Sequence, residues 1–225
     1  MTTQRIKKRR RNGLFLTLEG GEGSGKSTQI ALLADWLQKR GYPVLLTHEP
    51  GGTVLADEVR KILLNPKNKG MDFRVELLLY EVARKDHVRE VIEPALREGK
   101  VVLCDRFTDA TLAYQGYARG LPLKIIEAWN TLATGGIFPD RTYLLDLPVS
   151  DGLARVLQRS KGRKKALDRL DLEKKRFHQK VRNGYLTLAK KDKMRRFKIL
   201  DAKRSKKEVF EEICRDVVCQ LAKSF

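Results

Sequence analysis

Cysteine is rare in this chain, and the three that occur, Cys104, Cys214 and Cys219, have neither paired nor metal-type spacing. That argues against a disulfide framework and predicts reduced, mostly buried thiols in a cytoplasmic protein. Long apolar runs are missing as well: no stretch approaches the ~20 residues that a membrane helix needs. The segment MTTQRIKKRRRNG could pass for the charged start of a signal peptide, but the apolar run behind it stops at Glu19. No internal repeat is visible. Acidic residues are too few to balance the basic ones: 28 Asp and Glu face 47 Lys and Arg, for a net charge of +19. The excess is uneven, with roughly +6 in the first 13 residues and roughly +17 between Arg155 and Lys207. Such blocks can hold nucleic acid non-specifically, yet no aromatic-interleaved or nucleic-acid motif accompanies them. They read instead as a solvated N-terminal arm, a phosphate-handling surface and exposed helix faces.

What is present is a globular composition, 41% hydrophobic and 33% charged, at a length that suits one domain with a substantial core. The most informative stretch is LFLTLEGGEGSGKST, Leu14 to Thr28. A short apolar run leads into glycines, and Gly20 to Ser27 fits G-x-x-x-x-G-K-[ST], with a helix pattern following. Backbone N–H groups can wrap a polyphosphate only where no Cβ blocks the approach and the chain can reach φ > 0. Gly20, Gly21, Gly23 and Gly25 supply that freedom, with Glu22 and Ser24 between them. The helix that starts near Lys26 aims its positive end at the same anion. Lys26 adds a charge for the β- and γ-phosphates, the Ser27 hydroxyl can ligate Mg²⁺, and Thr28 completes the cradle. A nucleoside triphosphate is the expected ligand.

Short apolar strands alternate with longer helices along the rest of the chain. Val44–Thr47, Val101–Leu103, Thr142–Leu145 and Phe197–Leu200 read as strands beside Leu14–Leu18. Helices are expected after Lys26, around Val59–Leu63, from Val75 to Arg97 with a kink at Pro94, over Asp109–Gln115 and Leu123–Ala133, and from a Ser150 cap. Arg159–Lys165 reads as a cationic loop, Leu172–Lys191 as a charged helix, and Phe210–Leu221 as the closing helix. This alternation predicts a parallel sheet covered on both faces, with ligands at the carboxyl ends of the strands. One strand ends in Asp105-Arg106. A carboxylate there can hold Mg²⁺, directly or through water, and an arginine is a good bidentate clamp for a second phosphate. A triphosphate cradle facing a second phosphate site suits phosphoryl transfer between two phosphates. The acceptor is already anionic, so positioning and charge neutralisation suffice without a general base.

The chain resembles the thymidylate kinases over nearly its whole length. EGGEGSGKST (Glu19 to Thr28), THEPGGT (Thr47 to Thr53), ELLLYEVARKDH (Glu76 to His87) and DRFTDATLAYQG (Asp105 to Gly116) carry the likeness, with weaker echoes in PDRTYLLDLP, LDR and ILDA. The resemblance implies the P-loop nucleoside monophosphate kinase fold with a five-stranded parallel sheet. It implies ATP- and Mg²⁺-dependent phosphorylation of thymidine monophosphate (dTMP) to the diphosphate by a homodimer, toward dTTP for DNA synthesis. Residues 1–13 would be a flexible arm and 14–225 one kinase domain with a lid near 159–170. By the same likeness Tyr80 stacks on thymine, Arg84 bonds its edge, Thr111 and Gln115 face the base, and Tyr114 packs near the sugar C2′. Glu22 meets the 3′-hydroxyl, Glu49 shapes the acceptor site, and Ala202 with Lys203 borders the adenine. Gly23 together with Arg159, Lys161, Arg163, Lys164 and Lys165 matches the bacterial arrangement, in which lid cations replace a loop arginine; Arg163 is the favoured closing arginine. His48, Phe107, Ala110 and Arg141 depart from the family pattern and read as tuning. Two other readings stay open: a related monophosphate kinase, and a nucleotide-gated nucleic-acid binder using the basic arm and lid.

Overall fold

The computed structural model describes residues 12–163 and 167–224, with only the backbone of 161–163, 223 and 224. Five strands form one parallel sheet in the order β2-β3-β1-β4-β5: β1 Leu14–Glu19, β2 Val44–His48, β3 Val101–Asp105, β4 Arg141–Asp146 and β5 Phe197–Asp201. β1 is buried along its whole length and β3 along all but Asp105, because both faces are covered. Leu14, Leu16 and Leu18 pack on one side with α1 (Lys26–Gln38) and α9 (Lys206–Ser224). Phe15, Val102 and Cys104 pack on the other with Val88, Ile92 and Leu96.

The remaining helices are α2 (Val54–Leu64), α3 (Phe73–His87), α4 (Glu93–Arg97), α5 (Thr108–Thr111), α6 (Leu123–Thr134), α7 (Val149–Arg163) and α8 (Lys175–Lys191). Side chains cap two of them: Thr53 accepts from the Ala56 N–H, and Asp72 from those of Arg74 and Val75. A wide turn, Val88–Ile92, joins α3 to α4 where Pro94 interrupts the hydrogen-bond ladder. A second wide turn, Leu112–Ala118, extends α5.

Four expectations need correction. Ser150 is not a cap: α7 begins at Val149, and the Ser150 hydroxyl bonds Asp151. Arg159–Arg163 is helical rather than a loop, because the backbone of α7 continues through it, while Lys164 and Lys165 lie outside the described residues. The charged helix starts at Lys175, after a turn in which Asp168 accepts the N–H groups of Leu170 and Asp171. Only Cys104 is buried; Cys214 is half-buried and Cys219 exposed, all three as free thiols.

Register decides where the chemistry falls. Leu18 of β1 lies beside Asp105 of β3, so the phosphate loop and the Asp105-Arg106 pair leave the sheet side by side at its carboxyl edge.

Candidate active site

A cavity of about 630 Å³ opens at that edge, lined on one side by the phosphate loop and on the other by α3 and α5 residues. Gly25 has φ 98° and hands the chain to α1, so the first turn of the helix points into the cavity. Gly23 has φ 70°, and a Cβ there would run into the Gly152 carbonyl of α7. Backbone-to-backbone packing of loop and α7 therefore excludes any side chain at Gly23. Lys26 folds back onto the loop, its Nζ donating to the carbonyls of Gly20 (3.0 Å) and Gly21 (2.9 Å). Burial and the nearby Arg106 push its pKa down, against the pull of Glu22 and Asp105. Ser27 donates to Asp105 Oδ2 at 2.9 Å, so the two metal candidates touch across the crevice. A hydroxyl and one carboxylate suit Mg²⁺, which keeps most of its waters and takes substrate phosphates as ligands. Among the described residues there is no cluster of three or more His, Cys, Asp or Glu able to cage a metal.

Arg106 sits in the left-handed region, φ 72°, a strained conformation for a non-glycine residue. That backbone turns its guanidinium back toward the loop. Nη1 donates to the Gly20 carbonyl (3.2 Å) and the Tyr185 hydroxyl (3.3 Å), and Nη2 to Glu22 (2.6 Å). Tyr114 also donates to Glu22 at 2.7 Å, under the Arg106 guanidinium. Burial alone would raise the Glu22 carboxyl, but Arg106, Lys26 and the Tyr114 hydroxyl outweigh it and hold it at about 2.

Behind Arg106 lies a residue that sequence reasoning passed over. Tyr185 of α8 donates to Glu19 Oε2 at 2.7 Å, while the Phe107 N–H donates to Glu19 Oε1 at 2.7 Å. Glu19 is fully buried, and that burial, with Asp109 nearby, raises its carboxyl to about 8. Nothing local in the sequence marks Tyr185; only the packing of α8 brings it to the end of β1. Arg60 was also passed over. It lines the cavity from α2 and donates to the Pro50 carbonyl at 2.6 Å. Its signal was available: an arginine on the helix that follows the EPGGT turn.

The far side of the cavity gathers Tyr80, Arg84, Glu49, Thr111 and Gln115, as expected. Arg84 is largely committed to protein. Its Nε donates to Glu49 (2.8 Å), and Nη1 to Glu81 (2.9 Å) and Asn130 (2.8 Å). Only Nη2, 3.4 Å from the Phe107 carbonyl, has capacity to spare. Burial opposes ionisation of Glu49, yet Arg84 and His87 hold its pKa below the ordinary value. Burial raises the Tyr80 phenol, which stays neutral where it lines the cavity. Thr111 Oγ1 is buried without a partner. His48 lies at the cavity rim, 3.8 Å from Asp57.

A second cavity on the outer side of the loop is bounded by Ala202, Gln158, Arg155 and Arg159. Arg155 reaches the carbonyls of Gly23 and Ala202 at 3.4 Å. Arg159 lines both cavities, while the side chains of Lys161, Arg163, Lys164 and Lys165 lie outside the described residues. Arg141, unusual at a strand start, forms a two-bond pair with Asp216 of α9 (2.8 and 2.6 Å), which Tyr143 joins at 2.9 Å. It anchors β4 and stands apart from the cavity.

The family model described as thymidylate kinase matches residues 18–213. The chain belongs to the thymidylate kinase family. A thymidylate kinase of Geotalea daltonii is 55% identical over 191 residues, covering 84% of this chain and 89% of its own. One from Geotalea uraniireducens is 50% identical over 211 residues, covering 93% and 99%. The crystal structure of thymidylate kinase from Ehrlichia chaffeensis superposes with a TM-score of 0.72 at 33% identity, covering 91% of this chain and 98% of that one.

Proposed function

We propose that the two cavities hold ATP and dTMP end to end, and that the γ-phosphoryl of ATP passes to the dTMP phosphate to give dTDP. The observation that carries this reading is a shared anchor. Lys26 Nζ and Arg106 Nη1 both donate to the Gly20 carbonyl, at 3.0 and 3.2 Å. One cation belongs to the triphosphate loop and the other to the opposite wall, so two phosphate-binding charges converge on one point. A phosphoryl group in transit spreads its charge over three oxygens, and preorganised cations stabilise it more in the transition state than before it.

On the donor side, Gly20 to Gly25 and Thr28 supply the cradle, Lys26 the charge, and Ala202 the adenine border. On the acceptor side, Arg106 and Arg60 clamp the dTMP phosphate, and Glu22 accepts from the 3′-hydroxyl, as suits a carboxylate held at about 2. Tyr114 closes the C2′ side of the sugar. Tyr80 stacks on thymine while Arg84, Thr111 and Gln115 meet its edge, with Glu49 fixing Arg84. Ser27 and Asp105 would hold Mg²⁺, which when bound neutralises charge on the phosphates. Arg163, whose side chain lies outside the described residues, closes over the transferring group from the lid near 159–170; of the arm expected over residues 1–13, residues 1–11 also lie outside the described residues. The charge excess serves phosphate handling and solvated faces rather than nucleic acid.

A homodimer is supported by the apolar side chains that α2 and α3 expose on adjoining helices: Val54, Leu55, Ile62, Val75, Leu78 and Val82. The unpaired thiols and the use of ATP support a cytoplasmic location. An ADP-release assay across the deoxynucleoside and nucleoside monophosphates tests the reading. Fastest turnover is expected on dTMP, with dUMP behind it by the roughly 10–200-fold that one methyl contact is worth. A purine or cytidine acceptor turning over faster would overturn the assignment.

A further inference from the structure

We infer that Glu76, which lies behind the base seat and touches no substrate, sets the pyrimidine specificity of this site by fixing which end of the Gln115 amide faces the base. The inference rests on the proposed seat of thymine beside Tyr80, Thr111 and Gln115.

Gln115 and Glu76 are both buried, 1% and 0% exposed. Gln115 Nε2 donates to Glu76 Oε1 at 2.6 Å. Two guanidinium groups flank the same carboxylate: Arg169 Nη1 stands 2.6 Å from Oε2, and Arg119 donates Nε to Oε1 and Nη2 to Oε2, each at 3.3 Å. Both arginines are themselves tied down. Arg169 donates to the Leu63 carbonyl (2.7 Å) and Arg119 to Glu173 (2.7 Å). A carboxylate pinned between two cations has only acceptors to offer. The Gln115 amide must therefore turn its NH₂ toward Glu76, which leaves Oε1 as the atom for the cavity that Gln115 lines.

That orientation is a chemical filter. Thymine and uracil carry a donor at N3–H, which an amide oxygen can accept. Cytosine carries a lone pair at N3, which would face the lone pairs of Oε1 and strand both. Buried sites built to hydrogen-bond one partner reject the analogue that lacks it far more strongly than apolar pockets reject a methyl group. Arg119 and Arg169 thus act two contacts away from the base, through Glu76, and the turn after α7 that carries Arg169 is coupled to the base seat.

Glu76→Gln reverses the logic. The new amide would keep its oxygen toward Arg169 and offer its NH₂ to Gln115, which must then turn its oxygen back and present its own NH₂ to the base. The test is kcat and KM for dTMP and dCMP at saturating ATP, in wild type, Glu76→Gln and Gln115→Leu, with melting temperatures to confirm folding. For Glu76→Gln we expect the dTMP:dCMP ratio of kcat/KM to fall at least tenfold, chiefly through the two KM values, with the KM for ATP unmoved. In a Gln115→Leu background the same substitution should leave the ratio where Gln115→Leu put it.

A wild-type ratio in folded Glu76→Gln, alongside a collapsed ratio in Gln115→Leu, overturns the inference while sparing the base seat. An unchanged ratio in Gln115→Leu overturns the seat itself. If Glu76→Gln does not fold, Glu76→Asp keeps the charge but withdraws the carboxylate from the amide. There a fall of about tenfold supports the inference, and a wild-type ratio overturns it.

Discussion

Replacing Glu19 with glutamine should remove a pH dependence of stability that the wild type carries. Glu19 is fully buried at the end of β1, receiving the Phe107 N–H and the Tyr185 hydroxyl. Burial first, and then the charge of Asp109, raises its carboxyl from 4.5 to about 8, against smaller opposing contributions from Tyr185 and Arg106. Between those two values the folded protein holds a proton that the unfolded chain has already lost. Stability is therefore full below pH 4.5, falls as pH rises, and has lost this contribution by about pH 8. Each pH unit in the window is worth at most about 1.4 kcal/mol, so the whole effect has a ceiling of about 5 kcal/mol. That is a large share of the 5–15 kcal/mol typical of a folded domain. Urea denaturation of wild type and Glu19→Gln at pH 5, 6, 7 and 8 isolates it, because every other titrating group cancels in the difference. The gap between the two proteins should shift by more than about 2 kcal/mol across that range, in favour of the variant at high pH. Parallel stability curves would refute the reasoning and mean that Glu19 is ionised throughout.

Lys26→Ala and Arg106→Ala should each lower kcat per folded molecule by about 10²–10³-fold, the loss expected for one preorganised charge; a tenfold effect would put the converging cations in the wrong role. Arg141→Ala leaves Asp216 with only the Tyr143 hydroxyl as a donor, and should cost about 2 kcal/mol, read as a drop of roughly 4–8 °C in melting temperature without loss of turnover per folded molecule. Leu78→Glu places a charge in the exposed apolar face of α2 and α3; light scattering should report a halved mass, and an unchanged mass would move the dimer contact elsewhere. Chelation of divalent ions should abolish turnover and Mg²⁺ restore it, with Asp105→Asn raising the Mg²⁺ needed for half-maximal rate; an unaltered requirement would remove Asp105 from the metal site.

The strands were legible because a doubly covered parallel sheet writes itself as short unbroken apolar runs, as in Val101–Cys104. The phosphate loop was legible because its glycines answer a steric demand local in sequence. The end of α7 was not: Arg159–Arg163 has the composition of a loop, and its helicity continues from the preceding turns. Ser150 misled for a related reason, since Val149 already sits in helix and a good capping residue was mistaken for a boundary. In the site, residues flagged by local pattern, such as Tyr80 and Arg84 one helical turn apart, did line the cavity. Tyr185, 166 positions from the Glu19 it bonds, could not be found that way. The commitment of Arg84 to Glu49 and Asn130 was equally hidden, because those partners come from separate segments that only packing unites.

The central claim is that Lys26 and Arg106 grip two different phosphates across one shared carbonyl. A crystal structure with dTMP and a non-hydrolysable ATP analogue bound together tests it most directly. The account expects the analogue's terminal phosphate at Lys26, the dTMP phosphate at Arg106, and the pyrimidine against Tyr80. A dTMP phosphate away from Arg106, or a base lodged elsewhere than Tyr80, would contradict it.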